Sequence, residues 1–307
     1  MKMSKKILLS GIVAFALSPA IASAQSLAGY SDLTSFSILA GEYVTTGAGS
    51  TVSGNVGVFS YIATGASSSG ISSNFAGSYI TTGANSTGIG SNFAVSYITP
   101  GAGSTVIGSN FSNLPITDPN ITKISTGLIE LASAQSALNA TPAGTPLPAS
   151  MSGTQTLSTG VYNATALTTV AGTNLKLDAG GQSNPYWLFN IDTYLSTGAN
   201  TSVNIVNLAS GGTASVIWNT GGYASLGADN SFAGSILAGE YISTGATTTS
   251  GPLFAKQYVT LGANGTINSM VTPVPEPATY ALMLAGIGLL AFKVRRNKKY
   301  QQPVLSF

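Results

Sequence analysis

The sequence predicts an all-β chain interrupted by one long helix, folded as a three-sided β-solenoid with the α-helix packed alongside. Three observations carry this. Tyr43, Tyr61, Tyr79 and Tyr97 stand 18 residues apart, heading the segments YVTTGAGST, YIATGASSS, YITTGANST and YITPGAGST. The same register returns in the segments headed by Tyr194, Tyr223, Tyr241 and Tyr258, and all eight carry Gly-Ala at one place. A single stretch, 118–139, has helical spacing instead. A fixed period of about this length marks stacked repeats, and a rung of roughly six residues per side suits strands about 4.7–4.9 Å apart along the axis.

Within each rung the residue after the tyrosine is mostly apolar: Val44, Ile62, Ile80, Ile98, Leu195, Ile242 and Val259. Alternation turns these inward and the next position outward, where the chain holds Thr45, Ala63, Thr81, Thr99, Ser196, Ser225, Ser243 and Thr260. The glycine that follows supplies permissive backbone for a corner. Beyond it lies a second hydroxyl column, Thr51, Ser69, Thr87, Thr105, Ser202, Ser231, Thr249 and Thr266, whose direction the corner leaves open. Any one Thr or Ser is explained by its suitability for strands and turns, but a column of them is not. The segment SILAGEY at 37–43 recurs at 235–241, so two halves of the chain build equivalent rungs of one structure.

Asp118-Pro119 offers an N-cap and a first-turn proline, and Ile121, Ile124, Leu128, Leu131 and Leu138 follow on one stripe. That stripe needs an apolar partner, which one side of the solenoid provides. The Pro-rich segment 141–148 returns the chain to β-structure. Tyr186-Trp187-Leu188-Phe189 and Val216-Ile217-Trp218 read as core strands beneath the rungs.

Composition excludes several functions. With no Cys and no His there is no disulfide, no thiolate or imidazole zinc site, and no Ser-His or Cys-His nucleophile pair. None of the nine carboxylates stands in a close sequence pair suited to acid and base roles, so neither enzyme activity nor a cofactor is expected. Glu42 and Glu240 are equivalent positions of the SILAGEY repeat and read as rim residues. The basic residues sit at the ends. Between 27 and 272 three lysines face eight carboxylates, a net charge of −5, which argues against nucleic acid as a partner.

At the start, Lys2, Lys5 and Lys6, an apolar run over 7–17 and Ala22-Ser23-Ala24 make a secretory signal peptide over 1–24, with cleavage expected after Ala24. The body is then 27–270, with the helix at about 118–139. At 271–300, Pro275-Glu276-Pro277 precedes a 15-residue apolar stretch and the basic run with Arg295-Arg296. This order resembles the PEP-CTERM sorting signal of Gram-negative bacteria that make exopolysaccharide. The resemblance implies processing by an exosortase, delivery outside the cell or to its surface, and membrane contact only through this transient segment.

The body resembles a second family. The SILAGE-like start, the long helix, GVYNATAL, LKLDAGGQSNPYWLFNI, STGANTSVNIVN, SVIWNTGGYASLGADNSFAGSILA and VTLGANGTI are similar to the bacterial and fungal ice-binding proteins of the DUF3494 type. The resemblance implies a discontinuous β-solenoid and an ice crystal surface as partner, met by a flat, mostly uncharged face. It also brings loose T-A/G-x-T/N motifs, matched here at Thr82-Gly83-Ala84-Asn85, Thr197-Gly198-Ala199-Asn200 and Thr244-Gly245-Ala246-Thr247. Thr supplies a methyl and a hydroxyl on a stiff side chain, so an outward Thr column is ordered before it meets ice. The expected face is therefore Thr45, Thr81, Thr99, Ser196, Ser225, Ser243 and Thr260, with Thr51, Thr87, Thr105, Thr249 and Thr266 as the second candidate. Two other readings stand beside it: an exopolysaccharide-binding surface using the tyrosines, and a structural or adhesive spacer in which they only brace neighbouring rungs.

Overall fold

A computed structural model describes residues 27–269, and in it the repeat becomes rungs with one strand on each of three sides. The tyrosine face is a ten-stranded parallel sheet. Its order is Ser150–Met151, Leu167–Thr169, Leu195–Thr197, Ala224–Leu226, Ile242–Thr244, Val259–Leu261, Tyr43–Thr46, Tyr61–Ala63, Ile80–Thr81 and Ile98–Thr99. A seventeen-stranded sheet wraps the other two sides. One of these, the helix face, includes Tyr186–Ile191, Ser215–Thr220, Ser235–Ala238, Leu253–Ala255 and Ile38–Ala40. The other, here the third face, includes Asn174–Asp178, Ser202–Val206, Ser231–Phe232, Thr248–Thr249 and Thr266–Asn268. The strands Thr51–Val58 and Ser69–Ala76 cross from the third face to the helix face, with register shifts around Gly54.

Order along the stack is not order along the chain. Val44 pairs with Val259 and Thr45 with Thr260, so the last rung of the chain lies against the first. The chain enters the stack near its middle, winds outward to Ile98–Thr99, crosses to the far end, and winds back to meet its own beginning. Ten strands span roughly 43 Å. The crossing is made by the 21-residue helix Pro119–Asn139, here α1, whose length is roughly 31 Å.

The helix is held as its sequence requires. Pro119 occupies the first turn and Asp118 caps it, its carboxylate accepting from the Asn120 N–H at 2.8 Å. Ile121, Ile124, Leu131, Ala134 and Leu138 are buried against Leu39, Leu188, Ile217, Leu237 and Phe254 of the helix face. Leu128 packs at the margin of this cluster, partly buried. Polar pins fix the C-terminal turns. Asn190 Nδ2 donates to the Leu138 carbonyl (3.0 Å) and Asn219 Nδ2 to Asn139 Oδ1 (2.7 Å). The inner core between the three sides holds Trp187, Phe189 and Trp218, the last two stacked at 3.8 Å, as the apolar runs predict.

One rung is composite. Val259–Leu261 and Thr266–Asn268 supply its first two sides, and Ile38–Ala40 supplies the third, lying between Leu253–Ala255 and Thr51–Val58. At the join, Ser37 Oγ donates to the Ser53 carbonyl at 2.7 Å and Ser269 Oγ donates to the same oxygen at 2.8 Å, while the two hydroxyls also touch each other. These bonds replace the peptide link that every other rung has at this corner. Replacing Ser37 and Ser269 together with Ala should lower stability by about 1–3 kcal/mol, read as the midpoint shift in urea unfolding.

Candidate binding face

The outward positions of the tyrosine face form two straight rows. In the first, backbone register pairs Ser150, Thr168, Ser196, Ser225, Ser243, Thr260, Thr45, Ala63, Thr81 and Thr99 in succession. Every sequence-predicted member of the first column is therefore present and adjacent, and Ala63 is the one position in the row without a hydroxyl. Ser150 and Thr168 were not expected. Their rungs have no tyrosine to set the register, although Leu167-Thr168-Thr169 repeats the apolar-Thr-Thr order of Val44-Thr45-Thr46. The inward column behind the row is as expected: Val44, Ile62, Ile80, Leu195, Ile242 and Val259 are buried.

The second row is the tyrosines themselves. From Tyr194 through Tyr223, Tyr241, Tyr258, Tyr43, Tyr61 and Tyr79 to Tyr97 they stack in one ladder, centroids 4.8–5.2 Å apart and planes within 2–8°. Each interior ring is covered on both faces by its neighbours, so the ladder presents ring edges and hydroxyls to solvent. Burial, followed by the neighbouring phenols, pushes the Tyr43 and Tyr79 hydroxyls above the ordinary phenol value. These two hydroxyls therefore stay protonated through neutral pH. The face carries no charged side chain at any outward position among the described residues. Glu42 and Glu240 lie beside it on the corner, joined through Gln257 by backbone bonds from Glu42 N to Gln257 O and from Gln257 N to Glu240 O. This is the rim position their sequence suggested.

The threonine that follows the outward one has the opposite role. Thr46, Thr64, Thr82 and Thr197 are buried, and each accepts a backbone N–H from the next rung's corner glycine: Gly65, Gly83, Gly101 and Gly227, at 3.1 Å in every case. Ser50, Ser68 and Ser86 close the same corner by donating to the carbonyls of Gly47, Gly65 and Gly83. Of the T-G-A-x motifs that the resemblance brought in, those at Thr82 and Thr197 are thus corner clamps, while Thr244 also points inward but its hydroxyl makes no hydrogen bond. The corner glycine is also not there for backbone freedom. Gly47, Gly65 and Gly83 do not have positive φ, and a Cβ on any of them would press into the backbone of the adjacent rung. The left-handed residue is two further on, at Gly49, Ser67, Asn85, Gly103, Asn200, Asp229 and Asn264.

The second candidate column lies on the third face and also points outward: Ser202, Ser231, Thr248, Thr266, Thr51 and Ser69 are paired in order, followed by Thr87 and Thr105. Here one expectation is corrected. Thr249 is fully buried and pairs with Phe232 and Ile267, and Thr248 takes its place in the column. The cause is a rung one residue short: Tyr241 to Tyr258 is 17 residues, and Gly245-Ala246-Thr247 lacks the left-handed corner residue of the other rungs. This face is less regular. It carries the register shifts at Gly54 and the outward Lys176 and Asp178. Bonds from the Gly180 N–H and Asn207 Nδ2 hold the Asp178 carboxyl below its usual range, so it is charged at neutral pH.

Fold and face together define a β-solenoid protein, one side of which is a repetitive, uncharged plane. The profile of the Ice-binding-like family matches residues 38–267, and the chain belongs to that family. The PEP-CTERM protein-sorting motif matches 273–298, spanning Pro275, Glu276, Pro277, Arg295 and Arg296. That segment and the expected signal peptide lie outside the described residues, and the motif marks a bacterial protein exported to the cell surface or beyond. A search of the curated proteins finds no match.

Solved structures share the fold. The ice-binding protein of the Antarctic ascomycete Antarctomyces psychrotrophicus has 22% identity and a TM-score of 0.56 over 78% of this chain and 97% of that one. The Shewanella frigidimarina ice-binding protein_1 DUF3494 domain has 22% identity and a TM-score of 0.54, covering 77% and 94%. An Arctic yeast ice-binding protein (LeIBP) has 18% identity and a TM-score of 0.57, covering 80% and 96%.

The two threonines of a rung separate clamp from face. Thr82→Val should lose about 1–3 kcal/mol by leaving the Gly101 N–H without its acceptor. The adjacent Thr81→Val should stay within about 0.5 kcal/mol of the parent in the same unfolding measurement.

Proposed function

We propose that this protein binds ice through the tyrosine face, after export by its signal peptide from a Gram-negative cell and exosortase processing at Pro275-Glu276-Pro277. One observation carries the choice of face: ten parallel strands in unbroken register present rows of hydroxyls and ring edges without a charge. Ice is a lattice of weakly polar water, and a charged group holds a hydration shell that disrupts it. A plane of stiff, neutral hydroxyls repeating at the rung spacing orders water with little loss of side-chain entropy on contact. The residues doing this are Thr45, Thr81, Thr99, Ser196, Ser225, Ser243 and Thr260, extended by Ser150 and Thr168. The third face, with Thr51, Thr87, Thr105, Thr248 and Thr266, is the poorer plane because Lys176, Asp178 and the bulge at Gly54 interrupt it.

The exopolysaccharide reading depends on sugar faces stacking on open aromatic faces. The ladder has closed them, except on the outer sides of Tyr97 and Tyr194, so the tyrosines are better read as a brace that also widens the plane.

A Thr81→Tyr, Ser243→Tyr double variant should keep its melting temperature, because the inward Ile and Val column is untouched. Its partition into a slowly growing ice hemisphere should drop to that of a denatured control, since each ring lifts the plane off the ice over several rungs. Full partition at unchanged melting temperature would move the site to the third face. Under the sugar reading the same variant is mild, and the loss comes from Tyr61→Ala and Tyr79→Ala.

Binding should also be flat with pH. The face has no carboxylate or amine at an outward position, and Tyr43 and Tyr79 hold their protons above the ordinary phenol value of about 10. Ice partition measured from about pH 5 to 9 should not change, and a decline is expected only as Tyr43 and Tyr79 ionise above that range.

A further inference from the structure

We infer that the two open ends of the stack are matched surfaces for a second copy of this chain, and that Pro100, Pro146 and Pro148 keep them from joining. A parallel stack leaves unpaired backbone at both ends, a template on which another chain can add. One end is made by Ile98–Thr99 and Asn110–Phe111, the other by Ser150–Met151 and Thr145–Pro146, each paired to the stack on one side. Neither end is charged, since 97–117 and 140–175 contain no Asp, Glu, Lys or Arg, so nothing electrostatic holds two copies apart. The first end also leaves apolar surface open. Tyr97, Ile107 and Phe111 are exposed there, and Ile98 is only half-buried where Ile62 and Ile80 are fully buried.

Backbone direction decides what these ends can do, because alternate residues of a parallel strand turn their N–H and C=O to the same neighbour. On the tyrosine face the N–H groups of Ile62 and Thr64 donate to the Tyr79 and Thr81 carbonyls of the next rung, and those of Ile80 and Thr82 to Tyr97 and Thr99. The same positions in the last rung are Ile98 and Pro100. Ile98 sends its N–H off the end, and Pro100 has none to send. Pro100 also stands where Thr46, Thr64 and Thr82 accept the next rung's corner N–H, so both bonds are gone. At the far end the Thr168 and Val170 N–H groups donate to the Ala149 and Met151 carbonyls, and the Leu147 N–H to the Asn163 carbonyl. The residues between them, Pro146, Pro148 and Ser150, therefore face away from the stack. If one copy continued another in register, Pro100 would oppose the Ser150 carbonyl and Pro146 the Asn110 carbonyl, each without a proton to give. Proline belongs in a sheet only where its nitrogen is turned to solvent at an edge, and all three stand so. A head-to-tail contact of this kind never closes and would run on into a fibre. The prolines hold the stack at the length of one molecule.

The test restores the missing donors. The exported chain carrying Pro100→Thr, Pro146→Thr and Pro148→Thr, all at exposed positions, is compared by sedimentation velocity with the parent and with a Pro115→Thr, Pro142→Thr control, whose prolines lie in exposed loops. Parent and control should stay monomeric at every concentration. The average mass of the triple variant should rise roughly twofold or more with concentration, in particles one coil wide by electron microscopy and with the parent's circular dichroism. A folded triple variant that stays monomeric overturns the inference. So does a parent that already joins end to end, a control that associates as readily, or broad lateral aggregates in place of particles one coil wide. If the triple variant does not fold, Pro100→Thr alone carries the test, since it returns both the N–H and the clamp hydroxyl. A folded single variant whose mass does not rise overturns the inference equally.

Discussion

Parallel stacking in register is the constraint on which the rest of this structure depends. When each rung lies directly on the last, a residue meets its own kind at every step along the axis, and whatever one position does is done many times. Tyrosine over tyrosine gives the ladder, with each stacked pair worth about 0.5–1.5 kcal/mol beyond the area it buries. Phe75, Phe93 and Phe111 repeat the device on the helix face. Asn74, Asn92 and Asn110 pass hydrogen bonds from side chain to side chain. The same constraint is unforgiving at the corners, where backbones approach so closely that glycine is needed to make room.

A solenoid that began at one end and finished at the other would need neither a composite rung nor a long crossing. This chain begins in the middle, and two features follow. The crossing segment has to travel most of the length of the stack, which a helix does with its own backbone bonds satisfied and one stripe free to cover Leu39, Leu237 and Phe254. The two ends of the body must then meet without a peptide bond between them, and the hydroxyls of Ser37 and Ser269 on one carbonyl make that junction. The recurrence of SILAGEY at 37–43 and 235–241 is the trace of this arrangement, since each copy supplies a helix-face strand and turns into a tyrosine-face strand.

The sequence was most legible where a rung had no insertion. An 18-residue spacing between tyrosines exposes inward and outward positions at once, and the first hydroxyl column, the inward aliphatic column and the helix stripe are all found where alternation puts them. Legibility failed where length changed. Tyr194 and Tyr223 stand 29 apart because loops such as 207–214 are inserted between the third face and the helix face, and two rungs have Pro148 and Ala166 where the others have the ladder tyrosine, which hid Ser150 and Thr168. The rung missing one corner residue moved Thr249 inward, a one-residue slip that inverts every side chain beyond it. The corner glycines were located but misread, because close approach to a neighbouring backbone is a tertiary effect that no local pattern carries.

The two hydroxyl columns show how one repeat gives a regular plane on one side only. Both columns descend from the same rung, and both carry Thr or Ser at nearly every step, Ala63 and Asn174 being exceptions. On the tyrosine face two positions separate corner from corner, so there is room for a ring and a hydroxyl but not for a loop or a bulge, and the ladder fixes the spacing from rung to rung. On the third face the strands run longer in one half and shrink to two residues in the other, the crossing strands bend at Gly54, and Lys176 and Asp178 occupy outward sites. That irregularity goes with the loops and the junction of Ser37 and Ser269 at its far edge. The tyrosine face has no such duties, and its regularity is what the remaining two sides, by taking the helix, the loops and that junction, made possible.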